Sequence, residues 1–221
     1  MPGSHAPSAE AEDSMIKIGK FILSDFATNC YFVHEKDSKE VIMFDCGDRG
    51  DFVYDKLTEN GFTIAAIYLT HGHYDHIYGV PELKKRSGAK VVCLDKETEF
   101  LADTDSNLTA RFGTALALHP DETVRDGQTV TEAGVTFQVI ATPGHTIGGC
   151  CFYFEEDQVL IAGDTLFEES VGRTDFPTGS ASSLVRSIRE KLFVLPDETR
   201  VFPGHGEATT IGHEKVYNPC L

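Results

Sequence analysis

The chain is short of positive charge. Its 19 Lys and Arg stand against 35 Asp and Glu in 221 residues, a formal net charge of −16 at pH 7. No basic cluster offers phosphates a counter-charge, so nucleic acid is not an expected partner unless a bound metal supplies the positive field. Long hydrophobic runs are also missing. Val91-Val92-Cys93-Leu94 is among the longest, against the roughly 18 residues a membrane-spanning helix needs, and the expectation is a soluble protein with no membrane partner. There is no CxxC pair: the six cysteines fall at 30, 46, 93, 150, 151 and 220 and read as reduced thiols of a cytoplasmic protein. Cys150 and Cys151, adjacent on an expected strand, would point to opposite faces, which argues against a redox pair. The Asn107-Leu108-Thr109 sequon carries no weight without secretion. Repeats, linkers and low-complexity stretches are absent too, so one domain is expected.

Met1 to Ser14 hold neither Lys nor Arg nor an apolar core, unlike a signal or transit peptide. Gly3-Ser4-His5 reads as a vector-derived remnant before a native start at Met15, and residues 1–14 are expected to be such a tail or a disordered one, with the folded domain over 15–221. With 41% hydrophobic and 24% charged residues, that domain can bury a substantial core.

Short β-rich runs at Ile16 to Leu23, Asn29 to His34 and Val41 to Phe44 predict an antiparallel meander closed by Asp45-Cys46-Gly47-Asp48. Helical spacing over Asp51 to Thr58, a buried strand at Ile64 to Leu69, a helix from Val80 to Arg86 and a strand at Lys90 to Leu94 then alternate β and α, with helices covering one face. Asp95 to Pro120 starts as helix and loses its period, as a surface excursion near a functional edge does. Strands at Val135 to Ala141, Cys150 to Phe154 and Val159 to Ile161 imply a second sheet, with a hairpin turn at Glu156-Asp157. A helical stripe over Ser180 to Leu192 and a strand at Arg200 to Phe202 follow. The Tyr31-Phe32 and Phe152-Tyr153-Phe154 runs fit alternating strand residues.

The segment Thr70-His71-Gly72-His73-Tyr74-Asp75-His76 ends a strand with three imidazoles and a carboxylate in six positions. With nine His in the chain, such an HxHxDH pattern arises by chance only about 0.001 times. Imidazole and carboxylate are ligands of zinc and iron, and this spacing suits a loop wrapped around a cluster, whereas a helix would offer ligands at i and i+4. Three further pieces follow expected strands and contain glycine: Thr142-Pro143-Gly144-His145-Thr146, Gly163-Asp164-Thr165 and Pro203-Gly204-His205-Gly206. Strand-end loops converging on one edge form a natural site. His34, His119 and His213 read as solvated or structural.

Together these pieces resemble the metallo-β-lactamase superfamily over Met15 to His205. The resemblance implies an α/β (α+β) fold, a four-layer αββα sandwich with a metal site at the edge between the two sheets. It implies His71, His73 and His145 around one metal, Asp75, His76 and His205 around a second, and Asp164 between them. That makes two divalent ions, zinc first, with iron or mixed zinc and iron as alternatives. Certain β-lactamases carry a Cys at the second site, where this chain has Asp164. Gly163-Asp164-Thr165-Leu166-Phe167, followed by Val171-Gly172-Arg173-Thr174-Asp175-Phe176, is similar to the glyoxalase II-like branch (hydroxyacylglutathione hydrolase-like, short bacterial type) and to the iron-dependent persulfide dioxygenases. Sixteen residues follow His205, where full-length hydroxyacylglutathione hydrolases carry a helical extension that holds glutathione. Tyr78-Gly79 stands where a Gly-Gly is expected.

The implied activity is hydrolysis of a small-molecule acyl thioester by a metal-bridging hydroxide, available at neutral pH because metals lower the pKa of bound water to about 7. Asp75 is the expected catalytic residue, orienting the hydroxide and moving its proton. Asp45 and Thr70, near strand ends, are candidates to support the ligands from behind, and Arg173 is a candidate anchor for a substrate carboxylate. The alternatives are a persulfide dioxygenase with one iron on His71, His145 and Asp164, and a hydrolase of lactone, phosphoester or β-lactam substrates on the same metal core. The sequence leaves the oligomeric state open.

Overall fold

The computed structural model describes residues 15–221, so the expected tail at 1–14 lies outside the described residues. The first sheet contains β1 (Ile16–Leu23), β2 (Thr28–Glu35), β3 (Glu40–Phe44), β4 (Thr63–Tyr68), β5 (Lys90–Leu94) and β6 (Glu122–Val124) in sequence order. β1 to β3 form the antiparallel meander and β3 to β6 pair in parallel. Parallel neighbours require crossovers, supplied here by α1 (Gly50–Glu59) between β3 and β4, and by α2 (Tyr74–Ile77) and α3 (Val80–Ser87) between β4 and β5.

After α4 (Thr98–Ala102) and α5 (Thr109–Phe112), the chain builds a second sheet from β7 (Thr129–Glu132), β8 (Val135–Ala141), β9 (Cys150–Phe154) and β10 (Val159–Gly163). A small hairpin, β11 (Leu166–Phe167) with β12 (Ser170–Val171), and then α6 (Ala181–Ser187) precede β13 (Arg200–Pro203), β14 (Thr209–Thr210) and α7 (Ile211–Tyr217). β13 adds in parallel to β10, giving the order β14-β13-β10-β9-β8-β7.

The four layers follow from side-chain alternation. Ile42, Phe44, Val92 and Leu94 face the second sheet's Phe137, Val139, Phe152 and Phe154, while their neighbours Val41, Met43, Val91 and Cys93 face α1 and α3. Cys151, Tyr153 and Leu160 pack outward against Leu184, Ile188 and Leu192. Strands buried on both faces read as continuous apolar runs. Between the sheets, Phe44 lies 5.0 Å from Phe152 and Tyr68 5.2 Å from Phe137, centroid to centroid and inclined, a spacing that gains electrostatically beyond simple burial. Cys150 and Cys151 do occupy opposite faces. All six cysteines are free and all but Cys220 are buried. Desolvation pushes the Cys30 thiol up to about 12, so it is inert. Among the described residues no helix is long and apolar enough to cross a membrane.

One expectation needs correction. The stripe over Ser180 to Leu192 is not one regular helix: Ser180 caps α6, and from Ile188 the turn widens, with Phe193 N–H bonding to the Ile188 carbonyl. Asp95 to Pro120 starts as helix and then runs over the surface, anchored from within. Asn107 is fully buried, donates to the Leu101 and Leu116 carbonyls and accepts from Thr109, and Leu101 and Leu118 join the outer core.

Candidate metal centre

The candidate ligands occupy four segments, each following a strand: His71 to His76 after β4, His145 after β8, Asp164 after β10 and His205 after β13. The structure brings all seven together. Donor atoms of His71, His73 and His145 lie within 4.8 Å of one another, as do those of His71, His76 and Asp164, and of Asp75, His76 and His205. Asp164 spans the groups: Oδ2 is 3.5 Å from both His145 Nε2 and His205 Nε2, and Oδ1 is 3.3 Å from His76 Nε2.

Four rings are oriented from behind through Nδ1, leaving Nε2 directed inward. His71 contacts the Thr70 hydroxyl at 3.1 Å, His76 the Asp45 carboxylate at 2.8 Å, His145 the Arg173 carbonyl at 2.7 Å and His205 the Phe26 carbonyl at 3.0 Å. Fixing the far nitrogen in this way selects the ligating tautomer. Asp45 and Thr70 lie together behind the cluster: Asp45 also accepts from the Thr70 N–H at 2.8 Å and its hydroxyl at 2.7 Å. His73 differs, its Nδ1 facing His145 Nε2 at 2.8 Å and its ring held edge-on between Phe100 and Phe176.

Burial and charge act against each other across the cluster. Desolvation and neighbouring imidazoles hold His71 well below the ordinary imidazole range, and His73 falls to about 3. At His76 burial works in the same direction, but Asp164, Asp45 and Asp75 outweigh it and hold the ring well above that range. His205 is raised to about 9, burial there being overcome by Asp164 and Asp75. Burial likewise opposes ionisation of Asp75 and Asp164, yet His76 and His205 keep both below the usual carboxylate value. His71 Nε2 is buried without a hydrogen-bond partner. Orphaned buried polar atoms are costly, and neutral imidazole nitrogens facing ionised carboxylates are what a divalent cation binds. The residues fit that group.

Sequence reasoning missed Glu97, which is 1% exposed and accepts from Gly72 N–H at 2.8 Å and Gly148 N–H at 2.7 Å. It ties the His71–His73 loop to the His145 loop, and no motif marks it. Arg173 lines the cavity over the cluster, but its guanidinium is bidentate to Asp175, both contacts 2.7 Å.

The model of the metallo-beta-lactamase superfamily matches residues 23–205, and the chain belongs to that superfamily, whose members bind divalent metals and include metallo-hydrolases. It is 34% identical over 199 residues to the hydroxyacylglutathione hydrolase GloC of Haemophilus influenzae, covering 89% of this chain and 93% of the relative. Among solved structures, the BLEG-1 B3 metallo-beta-lactamase superposes with TM-score 0.85 at 34% identity, over 92% of this chain and 98% of its own. The di-iron-bound form of TTHA1623 gives TM-score 0.82 at 31% identity, over 92% and 100%.

Proposed function

We propose that this protein is a binuclear metallohydrolase of acyl thioesters, glyoxalase II-like, acting in the cytoplasm. The observation that carries the reading is Asp164, one carboxylate within 3.5 Å of imidazoles from both ligand groups. His71, His73 and His145 would hold one ion and Asp75, His76 and His205 the other, with Asp164 within reach of both groups. The donor set is nitrogen and oxygen without sulfur, which suits zinc and admits iron.

When bound, such a metal pair supplies hydroxide at neutral pH and polarises the scissile carbonyl. The chain's own residues do the rest. Asp75, held ionised, has Oδ2 3.2 Å from His205 Nε2 and within reach of the Thr28 hydroxyl at 3.2 Å. Those contacts support Asp75 as the carboxylate that would orient the attacking oxygen and take up its proton. Asp45 keeps His76 in its ligating tautomer, and the Arg173 carbonyl does the same for His145. In the net reaction the C–S bond breaks, hydroxyl goes to the acyl carbon and a proton to sulfur, giving a carboxylic acid and a thiol.

The test is metal content by elemental analysis of protein purified without added metal, with oxygen uptake and thioester hydrolysis measured on the same sample. Two ions per chain, thioester cleavage and no oxygen uptake are expected. One iron per chain with persulfide-dependent oxygen uptake assigns a dioxygenase instead, and a fully metallated protein that cleaves β-lactams, lactones or phosphoesters but no thioester overturns the substrate class.

A further inference from the structure

The cavity opening onto the cluster has a volume of about 380 Å³ and is walled by aromatic rings. Tyr74 and Phe112 stack at 4.9 Å, and Phe26 stands edge-on to both at 5.3 and 6.1 Å. Phe26 and Phe112 remain 52% and 44% exposed. Large rings left open at the mouth of a site are a ligand surface in waiting.

Apart from the candidate ligands, Ser170 and Arg173 supply the polar lining, the Tyr74 hydroxyl being buried. The Arg173 guanidinium is engaged on two sides, bidentate to Asp175 and 3.9 Å above the Phe176 ring. Arg111 lies 5.3 Å from the Phe112 ring but does not line the cavity. A second depression, sharing Phe26, Tyr74 and Phe112, is lined by Asp25 and Asp48. Among the described residues, a carboxylate-bearing arm would therefore find no uncommitted cation in the cavity, and acid beside it.

We propose that the substrate is a thioester uncharged in both halves, with an aromatic or branched aliphatic group against Phe26, Tyr74 and Phe112, rather than a conjugate of a peptide thiol bearing carboxylates. This rests on the thioesterase reading above. A cavity of about 150 Å³ holds a benzene ring, so 380 Å³ accommodates one ring, the reacting carbonyl and a short thiol arm. Ring-on-ring contact supplies recognition without charge.

The experiment compares kcat/KM of the zinc-loaded full chain for phenylacetyl-N-acetylcysteamine, lactoyl-N-acetylcysteamine and S-lactoylglutathione. A preference of at least tenfold for the phenylacetyl compound over S-lactoylglutathione is expected. Phe112→Ala should reduce turnover of the phenylacetyl compound at least tenfold more than that of the lactoyl one, and Arg111→Ala should change neither. Preference for S-lactoylglutathione, or equal losses on Phe112→Ala, overturns the proposal. In parallel, calorimetry measures binding of 2-phenylethanethiol and glutathione to the same protein. If no thioester is cleaved but the aromatic thiol binds at least tenfold tighter than glutathione and is weakened by Phe112→Ala, the thioesterase reading fails and the apolar site stands. Tighter or equal binding of glutathione overturns the site itself.

Discussion

Asp45 accepts three hydrogen bonds on two buried oxygens, from the Thr70 N–H, the Thr70 hydroxyl and His76 Nδ1. Its backbone sits at φ 62°, a conformation Asn also tolerates, so Asp45→Asn changes the acceptor and little else. An amide must turn its NH₂ toward one of those donors, a mismatch of about 1–3 kcal/mol. Loss of such an orienting partner costs about 10–100-fold in metal affinity, and chelator competition should show that loss at the candidate site that includes His76. A lower melting temperature with unchanged affinity would reduce Asp45 to a structural role. Glu97 makes a different prediction. Burial pushes its carboxyl up to about 7, so its contribution to stability is greatest in the protonated form and declines as pH rises through 7. Glu97→Gln abolishes that titration and strands one of two glycine N–H groups. The melting-temperature advantage of the metal-free wild type over Glu97→Gln should therefore narrow between pH 5 and pH 8; an advantage that widens contradicts the shift.

At the scale of elements, the site exists because strand ends and tight loops let side chains from both sheets approach. Gly204, just past β13, is one such close approach: a Cβ there would collide with Asp164 Oδ1 and lie 2.8 Å from His76 Cε1. Gly204→Ala should displace the shared carboxylate and lower metal content by at least one ion per chain in elemental analysis, while the metal-free melting temperature moves only a few degrees. Full metal content in that variant would show that Asp164 has room to spare. The inner strands and the ligand loops were legible in the sequence for one reason: apolar runs buried on both faces end abruptly in contiguous His, Asp and Gly. Edge strands β6, β7 and β14 were not, being two to four residues long and mostly polar or half-exposed. Periodicity also could not separate α6 from the widened turn after it, because the apolar stripe of Leu184, Ile188 and Leu192 runs through both. Glu97 escaped because its partners lie 25 and 51 positions away, and the aromatic wall because Phe26, Tyr74 and Phe112 come from three separate segments and meet only in the folded chain.

The whole molecule carries a strong excess of acid, yet at its centre much of that charge is offset locally. Without metal, His76 is held protonated by Asp164, Asp45 and Asp75, and His205 by Asp164 and Asp75, two imidazolium charges facing three carboxylates. The raised His205 value, from 6.5 to about 9, means that its stabilising contribution is present in full below about pH 6.5 and is lost as pH rises through 9. Asp75 and Asp164, lowered from 3.8, contribute above that value and lose their contribution as pH falls through their depressed values. The metal-free chain is thus best held between those limits. Metal binding requires both imidazoles to be neutral, so it must release protons and strengthen with pH. Because the candidate ligands sit on four segments drawn from both sheets, that binding energy would also be folding energy. Thermal melts of the full chain with and without chelator, from pH 5 to pH 9, should show a gap that is small in acid and widens steadily toward pH 9. A gap independent of pH would mean that His76 and His205 keep their protons in the loaded protein, and the second ion would then have to be assigned to other residues.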